Sequence, residues 1–187
     1  MISPMEIFKI VKDTNPRLRE RCVPFEMPLS EETKKMFFDM LEYLKLSQDD
    51  EFLKKHKQVK SGVGLACPQI GVYKQGLAIY YVDEEDLIHE YILVNPKILS
   101  ESTKLCYLEN GEGCLSVDNP HGGYVYRPYR IKVRAFDLLR NEEVIYDFKG
   151  YEAIVVQHEI DHLKGILFYD HINKIDPFEK KPGSVAF

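Results

Sequence analysis

Gln157-His158-Glu159-Ile160-Asp161-His162 is the stretch on which the reading of this chain turns. It lies in an apolar run from Tyr151 to Leu163, where Ile154, Val155, His158 and His162 recur at three- and four-residue spacing and Gly165 follows as a stop signal. That periodicity predicts an amphipathic helix ending near Leu163. On a helix, residues four apart are neighbours on one face, so His158 and His162 can hold one metal ion between them. Glu159 sits beside that ion and is not needed as a ligand, which leaves it free to act as general base toward a metal-bound water. Two histidines at this spacing are also ordinary helix residues, and HExxH arises by chance, so the metal reading needs support from elsewhere in the chain.

A catalytic zinc or iron site has three protein ligands and an open position, so two histidines require a third donor. The four cysteines, at 22, 67, 106 and 114, show no CxxC spacing, and without a secretory signal no disulfide is expected among them. Cys114 is the best candidate donor. It lies in Glu112-Gly113-Cys114-Leu115-Ser116, whose glycine would let the backbone close on an ion that stabilises the thiolate.

Working outward, the 187 residues, 44% hydrophobic and 12% aromatic, suffice for one folded domain spanning 1–187. Twenty-five basic and thirty acidic residues give a formal charge of −5, which argues against a dedicated nucleic-acid surface. The opening Met1 to Arg19 carries Pro4, Lys9, Lys12 and Asp13, and no long apolar run occurs anywhere. Neither a signal segment nor membrane association is expected, and the cytoplasm is the expected location.

Ser30 before Glu31 and Glu32 is an N-cap with acids in the first turn, and Met36, Phe37, Met40, Leu41 and Leu44 repeat at helical spacing to about Leu46. Upstream, Asp13 to Pro28 contains Pro16, Pro24 and Pro28 and reads as an irregular arm pinned by Leu18, Val23 and Phe25. A short helical turn is expected near Phe52 to Lys57. Strands are predicted at Leu77 to Val82 and Tyr91 to Asn95, around the acidic turn Asp83 to Asp86, with Asn95-Pro96 ending the second. Further strands are expected at Lys104 to Leu108, Ile131 to Phe136 and Val144 to Phe148. The tail from Asn173 to Phe187, with Pro177, Pro182 and Gly183, is not expected to form a long helix. Together these elements predict an α+β fold in which antiparallel strands pack around the metal-bearing HExxH helix.

Gly62-Val63-Gly64-Leu65-Ala66-Cys67-Pro68-Gln69, the Cys114 motif and the HExxH motif resemble, in order and spacing, the three signature motifs of peptide deformylase. The long separation between the first two motifs and the inserted turn Asp118 to Gly123 are similar to the longer, Gram-positive-type members. The resemblance implies hydrolysis of the N-formyl group from the formylmethionine that begins nascent polypeptides, with release of formate. It implies that Cys114, His158 and His162 bind one divalent metal ion, natively ferrous iron, whose place zinc, nickel or cobalt can take. Glu159 would take a proton from the metal-bound water as that water attacks the formyl carbon, then return it to the leaving amine. The Gln69 side-chain amide and the Leu115 backbone N–H would stabilise the oxyanion.

By motif position, Val63, Gly64, Gly113, Leu115, Ile154 and Val155 would border the substrate. The aliphatic pair on the helix would help form a methionine pocket, while also serving as plain core. Glu112 and Arg127 would form an ion pair bracing the cysteine loop. Asp161 reads either as a support of the same kind or as an exposed helix carboxylate. The implied partners are N-formylmethionyl nascent peptides and, transiently, the ribosome. One position departs from the family pattern: Cys67 stands where alanine is usual, and introduces a thiol that could compete for metal. Two other readings stay open, an HExxH metalloprotease with a downstream third ligand such as His171, and a deformylase-like binding protein without catalysis.

Overall fold

The computed structural model describes residues 8–187, so Pro4 and the rest of the first seven residues lie outside the described residues. In chain order the elements are α1 (Glu31–Ser47), α2 (Asp50–Lys55), β1 (Gly64–Ala66), β2 (Gly76–Val82), β3 (Ile88–Glu101), β4 (Leu105–Tyr107), β5 (Arg127–Pro128), β6 (Arg130–Asp137), β7 (Glu142–Lys149), α3 (Gly150–Leu163) and β8 (Val185–Ala186). The main sheet has the order β1-β2-β3-β6-β7, with antiparallel neighbours throughout.

α1 starts where its cap demands, with the Ser30 side chain accepting from the Thr33 N–H and Glu31 and Glu32 in the first turn. Its Phe37, Met40 and Leu44 pack on Ala78, Ile92 and Val94. On the opposite face of the same strands, Leu77, Ile79 and Leu93 pack with Ala153, Val156, Ile160 and Leu163 of α3. β2 is therefore covered on both sides, which explains its unbroken apolar run. β6 alternates instead: Ile131, Val133 and Ala135 are buried, while Arg130, Lys132 and Arg134 are exposed. Each fully buried side chain of this kind contributes about 1.5–3 kcal/mol relative to exposure, so truncating Ile160 would loosen the helix that carries the histidines. α3 stops at Gly165, which has φ +73 and lies against the Arg19 carbonyl, a position closed to any side chain.

Three expectations need correction. Asn95-Pro96 does not end the second strand, because β3 continues to Glu101 through a register shift between Val94 and Lys97. The shift absorbs the donor that proline lacks, and Asn95, at φ +52, accepts from the Phe25 N–H at 2.8 Å and donates to the Phe25 carbonyl at 3.0 Å. Val23 does not anchor the arm by its side chain, which is 58% exposed; Leu18, Cys22 and Phe25 are the buried residues there. Val23 is held by its backbone, donating to the Tyr73 carbonyl and accepting from the Gln75 N–H. The helical turn after α1 begins two residues early, because Asp49 caps it through the Phe52 N–H. The antiparallel main sheet and the HExxH helix match the expected α+β fold, and beside them the tail contributes β8, which pairs parallel with β4 next to an antiparallel β4–β5 pair. Among the described residues no helix is long and apolar enough to cross a membrane.

Candidate active site

α3 places the rings of His158 and His162 with centroids 5.2 Å apart, as a four-residue spacing requires. Cys114, on the connection between β4 and β5, brings its Sγ to 3.3 Å from His162 Nε2. Donor atoms of Cys114, His158 and His162 all lie within 4.8 Å of one another, close enough for one ion to bridge them. A thiolate with two imidazoles suits iron, zinc, nickel or cobalt better than magnesium or calcium.

Behind His158, Glu112 Oε1 lies 2.8 Å from Nδ1, a partner that would keep the hydrogen on Nδ1 and give up Nε2 to a metal. Arg127 donates to Glu112 through Nε at 2.7 Å and Nη2 at 2.9 Å, and to Asp161 through Nη1 at 2.8 Å. Asp161 Oδ2 also meets His171 Nε2 at 2.8 Å. Burial alone would raise the Glu112 carboxyl, but His158 and Arg127 pull it down to about 2. The same contest holds Asp161 below its ordinary value, with burial outweighed by His171 and Arg127. Of the two readings of Asp161, the geometry fits the supporting one, since its side chain is only 14% exposed and accepts from Arg127.

Burial, and then the neighbouring His158, keep His162 well below the ordinary histidine value and therefore neutral, the form that ligates. Glu159 is pushed up to about 7 by burial, against the lowering influence of His158 and Arg127. Its Oε2 is buried with no hydrogen-bond partner among the described residues, so it is free to accept from a group the protein does not supply. Gly64 packs directly on this carboxylate: a Cβ there would lie 2.7 Å from Glu159 Cδ. Gln69 is oriented by its own hydrogen bonds. Its Oε1 accepts from the Ala66 N–H at 2.8 Å, and its Nε2 donates to Ser116 Oγ at 3.0 Å while lying 3.5 Å from Cys114 Sγ.

Val63, Gly64, Gly113, Leu115, Ile154 and Val155 all line one cleft of about 320 Å³, together with Gln69, Cys114, His158 and Glu159. The cleft is also lined by Tyr151 and Leu108, which sequence reasoning missed. Tyr151 carried a usable signal, since 151, 154, 155 and 158 follow the i, i+3, i+4, i+7 pattern of one helix face. Ser116 carried none. Gly113 departs from its expected reason: a Cβ there would meet nothing within 4 Å, so no tight backbone requires it. Cys67 and His171 are not among the converging donors. Cys67 is fully buried beside Phe37 and Leu65, and burial pushes its thiol well above the ordinary value, while His171 is engaged with Asp161.

A family profile described as polypeptide deformylase matches residues 7–178. The peptide deformylase of Ligilactobacillus salivarius is 50% identical over 179 residues, covering 94% of this chain and 95% of that one. That of Listeria monocytogenes is 50% identical over 178 residues, covering 95% and 96%. Among solved structures, peptide deformylase from Thermotoga maritima superposes with a TM-score of 0.70 at 31% identity, covering 90% of this chain and 99% of that one. The Met-Ala-Ser-bound class I type b peptide deformylase from Acinetobacter baumannii superposes with a TM-score of 0.70 at 28% identity, with the same coverage of 90% and 99%. Half of its residues are shared with Gram-positive relatives along nearly the whole chain, and the chain belongs to the peptide deformylase family.

Proposed function

We propose that this chain removes the N-formyl group from the formylmethionine of nascent polypeptides and releases formate, acting as one catalytic domain over 1–187 in the cytoplasm with transient access to the ribosome. The observation that carries the reading is the convergence of Cys114, His158 and His162 beside a buried, unpartnered Glu159 at the floor of a cleft. These three donors would hold one divalent ion, ferrous iron in the native protein with zinc, nickel or cobalt as substitutes, and that ion would supply Lewis acidity to water and to the formyl oxygen.

Glu159, whose carboxyl burial pushes up to about 7, takes the proton from the water in its ionised form as the water oxygen bonds to the formyl carbon. It passes that proton to the methionine nitrogen as the C–N bond breaks, leaving formate and a free amine. Gln69 Nε2 and the Leu115 N–H face the developing charge on the formyl oxygen, and such donors typically contribute about a hundredfold or more in rate. Ile154 and Val155 receive the methionine side chain, so the substrate is positioned from both ends. The Acinetobacter relative was solved with Met-Ala-Ser, the peptide that deformylation of formyl-Met-Ala-Ser leaves.

The test is formate release from formyl-Met-Ala-Ser by protein loaded anaerobically with iron. Glu159→Ala should retain the metal and lose activity by about a hundredfold or more. Absence of formate with the metal bound would refute the reading. Metal loss in Glu159→Ala equal to that in His158→Ala would refute the role of Glu159.

A further inference from the structure

Lys60 stands on the exposed stretch leading into β1 and lines the rim of the cleft; among the described residues it is the one lysine or arginine that does so. The carboxylates of the cleft, Glu112 and Glu159, are buried at its floor. Lys60 Nζ pairs with Asp118 Oδ1, and the same oxygen takes Lys12 Nζ at 3.0 Å. Two ammoniums sharing one carboxylate leave a local charge of +1, on a chain whose formal charge is −5. Lys12 is tied a second time, to the Leu115 carbonyl at 2.9 Å. Lys60, half-exposed and held by Asp118 with no second partner among the described residues, is therefore the one of the two that can turn toward a bound peptide.

The path of such a peptide follows from the sheet. β1 is a terminal strand paired on one side with β2, and the Val63 carbonyl accepts from the Tyr80 N–H. Backbone groups alternate sides along a strand, so those of Gly64 face the outer edge, beside Glu159. An extended peptide held there by its first residue cannot continue past Leu65 and Ala66, which are fully buried. It leaves along residues 62 to 60, which lead to solvent. With the methionine directed into the cleft, the second side chain points away. The third returns to the cleft side about 6.6 Å further on, toward Lys60.

We propose that Lys60, whose charge Asp118 only partly offsets because it is shared with Lys12, is a specificity determinant that favours formylmethionyl peptides carrying a carboxylate side chain on the third residue. The inference rests on the deformylase reading above. The experiment compares kcat/KM for formyl-Met-Ala-Asp, formyl-Met-Ala-Ser and formyl-Met-Ala-Lys, all as C-terminal amides, at low salt and at about 0.5 M salt, where exposed charges are screened. The expected order is Asp over Ser over Lys, with each step up to about fivefold, as exposed ion pairs allow. The difference should lie in KM and shrink at high salt. Lys60→Met should bring the Asp-to-Lys ratio close to one, Lys60→Glu should invert it, and Asp118→Asn, which leaves Lys60 in place but unpaired, should widen it. Equal constants for the three peptides, or a preference unchanged in Lys60→Met, would overturn the inference. Failure to release formate even from the serine peptide would instead strike the deformylase reading beneath it.

Discussion

Glu112 Oε1 lies 2.8 Å from His158 Nδ1 while the same carboxylate binds Arg127 through two nitrogens, so one buried anion orients a ring and neutralises a buried cation. Glu112→Gln should weaken metal retention by about 10- to 100-fold, because His158 loses its orienting partner. It should also destabilise the fold by about 3–5 kcal/mol, because Arg127 is left with Asp161 alone in the interior. Chelator competition and denaturant unfolding measure the two effects. Unchanged metal affinity would mean that His158 needs no support from Glu112.

Gly64 and Glu159 compete for one volume, since a Cβ on the glycine would sit 2.7 Å from Glu159 Cδ. Gly64→Ala should therefore displace the carboxylate, lower kcat by about a hundredfold and cost about 1–3 kcal/mol of stability. The three donors are untouched by that methyl, so metal content should stay at the wild-type level. Full activity in the variant would show that Glu159 has room to move without penalty.

The two central cysteines should respond in opposite ways. Cys114→Ala should lose tightly bound metal, whereas Cys67→Ala should keep it and lose about 1 kcal/mol of packing from a fully buried position. Metal analysis after anaerobic purification separates them, and the reverse pattern would reassign the third ligand.

His89 links the β2–β3 turn to the first turn of α3, with Nε2 2.7 Å from Asp83 Oδ2 and Nδ1 2.7 Å from Glu152 Oε2. Tyr81 stacks on its ring and Tyr91 donates to Glu152 at 2.9 Å. Burial draws His89 down, but the hydrogen bonds to the two carboxylates outweigh it and leave the histidine above its ordinary value. Its contribution to stability is then complete below the unfolded value of about 6.5 and disappears as pH rises through the higher folded value. Asp83, held low first by its hydrogen bond to His89, contributes above its unfolded value of about 3.9 and loses that contribution as pH falls. The Tm gap between wild type and His89→Gln should thus be widest near about pH 5 to 6 and narrow above about pH 8. A gap independent of pH would show that the ring acts by packing alone.

Local regularities were legible in the sequence because they reflect the geometry of a single element. The cap and apolar stripe of α1, the alternation along β6 and the helix bearing His158 and His162 all follow from backbone periods of 3.6 and 2. The three motifs likewise pointed to the family and named the residues that the cleft brings together. Other relationships required the folded chain. That Cys114 rather than His171 or Cys67 meets the two histidines depends on a contact spanning 48 residues, and the pairing of Asp161 depends on where Arg127 arrives from β5. The continuation of β3 through Asn95-Pro96 depends on the Phe25 backbone, 70 residues away. The pairing of the tail with β4, the shared volume of Gly64 and Glu159, and the placement of Lys60 at the cleft rim are of the same kind. Sheet register and packing decide such meetings, and these are set by the sum of contacts over the whole chain, which no local period encodes.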